Sequence, residues 1–142
     1  MQTDDRSSTQ VEAVFEALSE ALRARDAAAV GALFAPDARI FDLAPPLAHG
    51  FDGRGLADWL AGWDGPVEQS ASDFEIKVSG DLAVCHGLVH VQTTRGGEEA
   101  SWWMRATYAL ARDDRGWRII HEHTSVPFYM DGSYRAAIDL AP

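Results

Sequence analysis

The chain reads as one α+β domain, and three observations predict it. Apolar residues in the first part of the chain recur at helical spacing, whereas those in the second half alternate at the period of strands. At 142 residues, with a single cysteine, the length suits one domain that buries its core without disulfides. Helices followed by a run of strands place the helices on one face of a largely antiparallel sheet.

The elements follow in order. Thr9 and Glu12 have capping-box spacing, and Val11, Val14, Phe15, Leu18 and Leu22 form one apolar stripe behind them. Asp26 suits the N-cap of a short second helix with Val30, Leu33 and Phe34 inward, stopped by Pro36. Residues 38–43 read as a short strand, and the Pro- and Gly-rich stretch 44–55 as a loop. Leu56, Trp59, Leu60 and Trp63 fit a third helix closed by Gly65-Pro66. Beyond it Phe74, Ile76 and Val78 alternate with polar residues, and Gly80-Asp81, Gly96-Gly97 and Asp113–Gly116 divide the remainder into an antiparallel meander that ends at Pro127. The tail reads either as a short helix around 135–140 or as a mobile segment.

Twelve basic against 22 acidic residues leave a net charge of −10, which excludes a nucleic-acid footprint and disfavours anionic membranes. The polar, acidic first ten residues do not read as a signal peptide, and no apolar run is long enough to span a bilayer. The expectation is a cytoplasmic protein without nucleic-acid or membrane partners.

The chemistry concentrates on the last strand. Trp117, Ile119, His121, His123 and Ser125 share one face, and Arg118, Ile120, Glu122 and Thr124 the other. Large apolar residues at its start mark the first set as inward, so His121, His123 and Ser125 are expected to line a small-molecule pocket. Core histidines satisfied by their neighbours fit the same spacing. A metal also fits His-x-His but needs a third ligand, for which His86 and His90 are the candidates; the expectation is no metal and no cofactor. With Asp113–Gly116 as the turn, Arg112 pairs with Trp117 and Tyr108 sits opposite His121, so that Met104, Ala106 and Tyr108 face inward. A β-bulge would slip this register and turn Trp103, Arg105 and Thr107 inward, where Arg105 would hold a carboxylate or enolate; without it Arg105 lies on a solvated face. Asp42, at the end of the first strand, suits either a general base or a turn cap. Trp59, Trp63, Trp102, Trp103 and Trp117 are core residues or the walls around an apolar ligand.

LFAPDARIFD (residues 33–42) and WMRATYALARDDRGWRIIHEHTS (residues 103–125), with the element order around them, give the chain a family resemblance. Over residues 9–128 it resembles the SnoaL-like, ketosteroid isomerase-like proteins of the nuclear transport factor 2-like (NTF2-like) superfamily, leaving 129–142 as a tail of a single domain, 1–142. The resemblance implies a cone: a strongly curved antiparallel sheet wrapped around the N-terminal helices, a deep pocket open at one end, and a homodimer through the sheet's outer face. It implies a cofactor-free isomerase, cyclase or lyase that moves protons on a small apolar carbonyl compound. The alternative is a ligand-binding or assembly module, because the association domain of calmodulin-dependent kinase ends in a similar His-x-His-x-Ser strand. Asp42 stands where the steroid isomerases carry their proton-shuttling aspartate. Leu18 stands at their helix-one tyrosine and Tyr108 at their second aspartate, so their oxyanion hole is not retained as a set. The site this implies has Asp42, Tyr108 and His121 as catalytic groups, with His123, Ser125, Arg105, Trp103, Trp59, Trp63 and Phe15 around the ligand.

Overall fold

The computed structural model describes residues 5–142. Three helices, α1 (Asp5–Arg23), α2 (Ala27–Gly31) and α3 (Gly53–Ala61), accompany five strands: β1 (Phe34–Phe41), β2 (Glu68–Ser79), β3 (Leu82–Arg95), β4 (Glu98–Asp113) and β5 (Gly116–Ser125). The strands form one curved sheet in the order β1-β5-β4-β3-β2, antiparallel throughout except that the edge strand β1 runs parallel to β5. None of the described helices is long and apolar enough to cross a membrane.

Local chemistry accounts for most boundaries. The Asp26 carboxylate accepts the Ala29 N–H at 3.0 Å and caps α2, and Asp52 does the same for α3 through the Gly55 N–H at 2.9 Å. The capping box expected at Thr9 is not one: α1 already begins at Asp5, and Thr9 sits inside it, its hydroxyl donating back to the Asp5 carbonyl at 2.9 Å. Gly96 and Gly97, at φ 59° and 79°, make the two-residue turn that joins β3 to β4, because paired positive φ values match the twist of a tight hairpin. Pro36 does not end a helix but lies within β1, an edge strand irregular between Phe34 and Arg39, where a missing N–H is tolerated. The tail forms no helix over 135–140. It folds back through positive-φ Gly132 and Tyr134, the Ala137 N–H donates to Pro127, and Ala137 is buried.

The core lies between the helices and the concave face of the sheet. Val11, Leu18, Ala21 and Leu22 of α1 pack with Val89, Val91, Tyr108, Leu110, Trp117 and Ile119 from the strands. Phe15 sets its ring edge-on to Phe74 at 4.9 Å and to Tyr108 at 4.8 Å, which locks α1 to the middle of the sheet. Gly87 leaves the room that Phe74 fills: a Cβ there would lie 2.9 Å from the Phe74 ring.

One irregularity decides which side chains reach the concave face. Arg112 pairs with Trp117 and Leu110 with Ile119, but the next pair is Ala109 with His121. Ile120 is therefore an extra residue, a β-bulge, and beyond it the alternation of β5 is inverted. Trp117 and Ile119 are buried as expected, yet it is Glu122 and Thr124 that continue on the concave face. The expectation that His121, His123 and Ser125 point inward is corrected: all three lie on the convex face. On β4 the side chains stay where an unbulged strand puts them, with Ala106 and Tyr108 buried, so Arg105 and Trp103 also face out. Tyr108 stands opposite Glu122, not His121.

Candidate functional site

A cavity of about 440 Å³ opens between the helices and the concave face, near the C-terminal ends of β1 and β5. Its walls are mostly apolar: Leu18 and Leu22 from α1, Phe34 and Ile40 from β1, Phe51, Leu56 and Trp59 around α3, and Val91, Trp102 and Met104 from the central strands. Into this lining project Asp42, His49, Gln69, Glu122 and Thr124. A mainly apolar enclosure with a few convergent polar groups is the usual character of a small-molecule site.

Asp42 follows Ile40 on the concave side of β1. Its Oδ1 accepts the Leu43 N–H at 2.8 Å and the Thr124 hydroxyl at 3.4 Å, and its Oδ2 lies 3.7 Å from His49 Nε2. A backbone bridge from Ile40 to His49 holds the histidine there. His49 Nδ1 lies 2.6 Å from the Gly50 carbonyl, which can only accept, so Nδ1 carries the hydrogen. Nε2 then turns a lone pair to Asp42 in the neutral ring and an N–H in the protonated one.

Glu122 lies deeper. Enclosure by protein, then the neighbouring charge of Asp42, push its carboxyl up to about 7, against the opposing pull of the Tyr108 hydroxyl that donates to it. Tyr108 is 1% exposed and is itself raised well above its ordinary value, first by burial and then by Glu122. Glu122 is thus a carboxyl that exchanges its proton near neutrality beside a second carboxylate, in an apolar cavity.

The expected site residues divide between the two faces. Asp42 and Trp59 line the cavity. Tyr108 stands behind the wall and reaches the site through Glu122, and Phe15 packs behind Tyr108. Trp63 lies beyond the end of α3, against Trp59 and Trp102 and beneath the Arg95 guanidinium. His121 and His123 set their rings against Phe41 on the convex face, with His121 Nδ1 at 2.7 Å from the Arg39 carbonyl. Arg105 donates to Ser125 at 3.1 Å, and Trp103 stacks on His90 at 4.5 Å, both also outside. The third ligands considered for His-x-His do not join it: His86 pairs with Glu75, and among the described residues no three His, Cys, Asp or Glu side chains are grouped to hold a metal.

Glu122, His49 and Thr124 are not singled out by the sequence. Alternation along β5 assigns Glu122 to the wrong face unless the bulge is known, and His49 lies in a loop whose path periodicity does not describe.

The SnoaL-like domain family matches residues 11–129. The chain is similar to an NTF2-like protein of unknown function from Pseudomonas putida, at 28% identity over 99% of this chain and 100% of that one, with a TM-score of 0.85. It shares the fold of an NTF2-like superfamily protein from Salmonella enterica (17% identity, 90% of this chain and 96% of that one, TM-score 0.75). It shares it too with an NTF2-like protein of cystatin-like fold from Novosphingobium aromaticivorans (17% identity, 96% and 90% covered, TM-score 0.69). No curated protein sequence matches it. With the family matched from α1 to the start of the tail, the chain belongs to the SnoaL-like family of the NTF2-like superfamily.

Proposed function

We propose that this protein catalyses proton transfer on a small, mostly apolar carbonyl compound, with Asp42 as base and Glu122 as acid. The observation that carries the reading is the placement of these two carboxyl groups in one apolar cavity, with Glu122 raised to about 7. Proteins of this fold generally bind small ligands.

Asp42 removes a proton from the carbon next to the carbonyl. The electron pair moves into a carbon–carbon double bond, and the carbonyl oxygen takes the Glu122 proton to give the enol. Where the compound has a β,γ double bond, return of the first proton at the γ carbon, with the hydroxyl proton going back to Glu122, completes an isomerisation and restores both groups. Where the compound carries a β-hydroxyl, Glu122 instead protonates that hydroxyl, which departs as water as the carbon–carbon double bond forms; the proton held by Asp42 then passes to Glu122 through solvent, and the reaction is a dehydration. Proton transfer of this kind needs an acid and a base and no cofactor. Tyr108 is a positioning residue that holds the Glu122 carboxyl by its hydrogen bond, and His49 Nε2 faces the Asp42 carboxylate at 3.7 Å.

The test is exchange of the α-protons of 1-tetralone in deuterated water, followed by NMR from pH 5 to 9. Glu122 must be protonated to act as the acid, so the catalysed rate is expected to be flat below about 7 and to fall about tenfold per unit above it. A rate that rises through neutrality would reverse the assignment of acid and base. Binding without exchange would make the protein a ligand carrier.

We also propose a homodimer through the convex face of the sheet, since folds of this kind often form dimers. Phe41, Leu88 and the stacked Trp103 and His90 lie there with His121 and His123, an aromatic surface of the kind that seeks a partner. Sedimentation is expected to give twice the 15.5 kDa chain mass, and Trp103→Glu to return it to one. An unchanged mass in that variant would move the contact elsewhere.

A further inference from the structure

We propose that His49 is a second catalytic base, which takes from Asp42 the proton that Asp42 removes from the ligand and passes it to solvent. The inference rests on Asp42 acting as the base, as proposed above.

The two oxygens of Asp42 are not equivalent. Oδ1 accepts the Leu43 N–H at 2.8 Å and the Thr124 hydroxyl at 3.4 Å. Oδ2 accepts no hydrogen bond from any described residue, and what faces it is His49 Nε2 at 3.7 Å. Hydrogen bonds occupy lone pairs and lower basicity, so Oδ2 is the oxygen left to take a proton. His49 is fixed beside it by backbone and ring together. The Ile40 N–H donates to the His49 carbonyl at 2.8 Å, and the His49 N–H donates to the Ile40 carbonyl at 3.0 Å. Nδ1, 2.6 Å from the Gly50 carbonyl, keeps the hydrogen of the neutral ring, which leaves the Nε2 lone pair toward Oδ2. Both residues line the cavity.

At 3.7 Å the pair is not hydrogen-bonded, as suits two atoms that each offer a lone pair. A proton moved from the ligand's α carbon to Oδ2 supplies the missing hydrogen, and contacts of this kind shorten once a site is occupied. The neutral carboxylic acid then donates to Nε2. The O–H bond breaks, an N–H bond forms, and the products are the Asp42 carboxylate and the His49 imidazolium. A free imidazole is a stronger base than a free carboxylate, so the transfer runs downhill. The His49 side chain is 28% exposed, so water reaches the ring, takes the proton and restores it to neutral. Dehydration leaves a proton on Asp42 at every turnover and needs this exit. Isomerisation does not, and can return the original proton or one from solvent.

Isomerisation of 3-cyclohexen-1-one, a β,γ-unsaturated ketone, in deuterated water at neutral pH separates the two steps. Absorbance of the conjugated product counts turnovers, and NMR counts deuterium at its γ carbon. The native protein is expected to place solvent deuterium there in more than about half of turnovers. His49→Gln keeps a polar side chain of similar reach that cannot take up a proton. It is expected to isomerise within about threefold of the native rate while the deuterium fraction falls about fivefold, and added imidazole is expected to restore that fraction in His49→Ala. The backbone bonds to Ile40 do not depend on the side chain, and retained isomerisation reports an intact site. Equal deuterium fractions in native and variant proteins would mean that Asp42 exchanges directly with water, overturning the inference and leaving the proton-transfer reading standing. Isomerisation lost at an unchanged deuterium fraction would also overturn it, because His49 would then place Asp42 without carrying its proton. If the native protein neither isomerises this ketone nor exchanges 1-tetralone, the proton-transfer reading fails and this inference with it.

Discussion

Asp42→Asn is expected to lower the exchange of 1-tetralone α-protons by about 10²- to 10⁴-fold, the range that one general acid or base contributes. The substitution is nearly isosteric. Its carbonyl oxygen can still accept from the Leu43 N–H and the Thr124 hydroxyl, so the end of β1 keeps its connections. What it loses is basicity and charge. The first loss removes the group that takes the carbon-bound proton. The second has its own signature, because the Asp42 charge is one of the causes that raise Glu122. In the variant, the fall of residual rate with pH is expected to set in below the native value of about 7. The midpoint shift reports the lost charge alone, so the loss of rate at an unchanged melting temperature is what marks Asp42 as the base rather than a structural carboxylate. Native exchange rates in Asp42→Asn would remove Asp42 from the mechanism.

The helices, the meander and the single core are legible because burial imposes a period on each. The stripe on α1 and the alternation in β2–β4 survive any detail of the loops. Asp26 is legible because a carboxylate before a short apolar helix has a definite task, whereas Thr9 has the spacing without the position: the helix has already begun. The site is legible only in part. Asp42 comes from its place at a strand end and from the family resemblance. The faces of β5 are misassigned by alternation because Ile119 and Ile120 are both apolar, so nothing in the pattern marks where it breaks. Inserting one residue inverts every side chain after it, and here it replaces two histidines and a serine with Glu122 and Thr124. A β-bulge in this hairpin, weighed as the alternative that would turn Arg105 inward, falls on β5 instead and leaves the faces of β4 in place. Tyr108 keeps its inward place and finds a carboxyl instead of an imidazole opposite.

Glu122→Gln is expected to stabilise the protein at pH 8 and to change little at pH 5. Glu122 is raised from an ordinary glutamate value of 4.5 to about 7 in the folded chain, so the folded state holds a proton that the unfolded chain has released between those values. Where the folded state binds more protons, stability falls as pH rises. Below 4.5 both states are protonated and Glu122 contributes no difference; from there to about 7 the loss accumulates, and above it the loss is complete. At 1.36 kcal/mol per unit it amounts to at most about 3 kcal/mol, less whatever solvent reaching the cavity screens. Tyr108 titrates too high to contribute within this window. Glutamine carries no titrating proton and offers a carbonyl oxygen to the Tyr108 hydroxyl, so the variant removes the loss without orphaning its neighbour. Urea unfolding of both proteins at pH 5 and pH 8 measures the difference, and titrating groups not coupled to Glu122 cancel between them. Parallel stability-against-pH curves would mean that Glu122 ionises as an ordinary carboxylate, and the acid of the proposed reaction would have to be sought elsewhere. The expected outcome is a more stable protein that has lost its acid, which is the trade anticipated for a carboxyl kept out of water for the sake of chemistry.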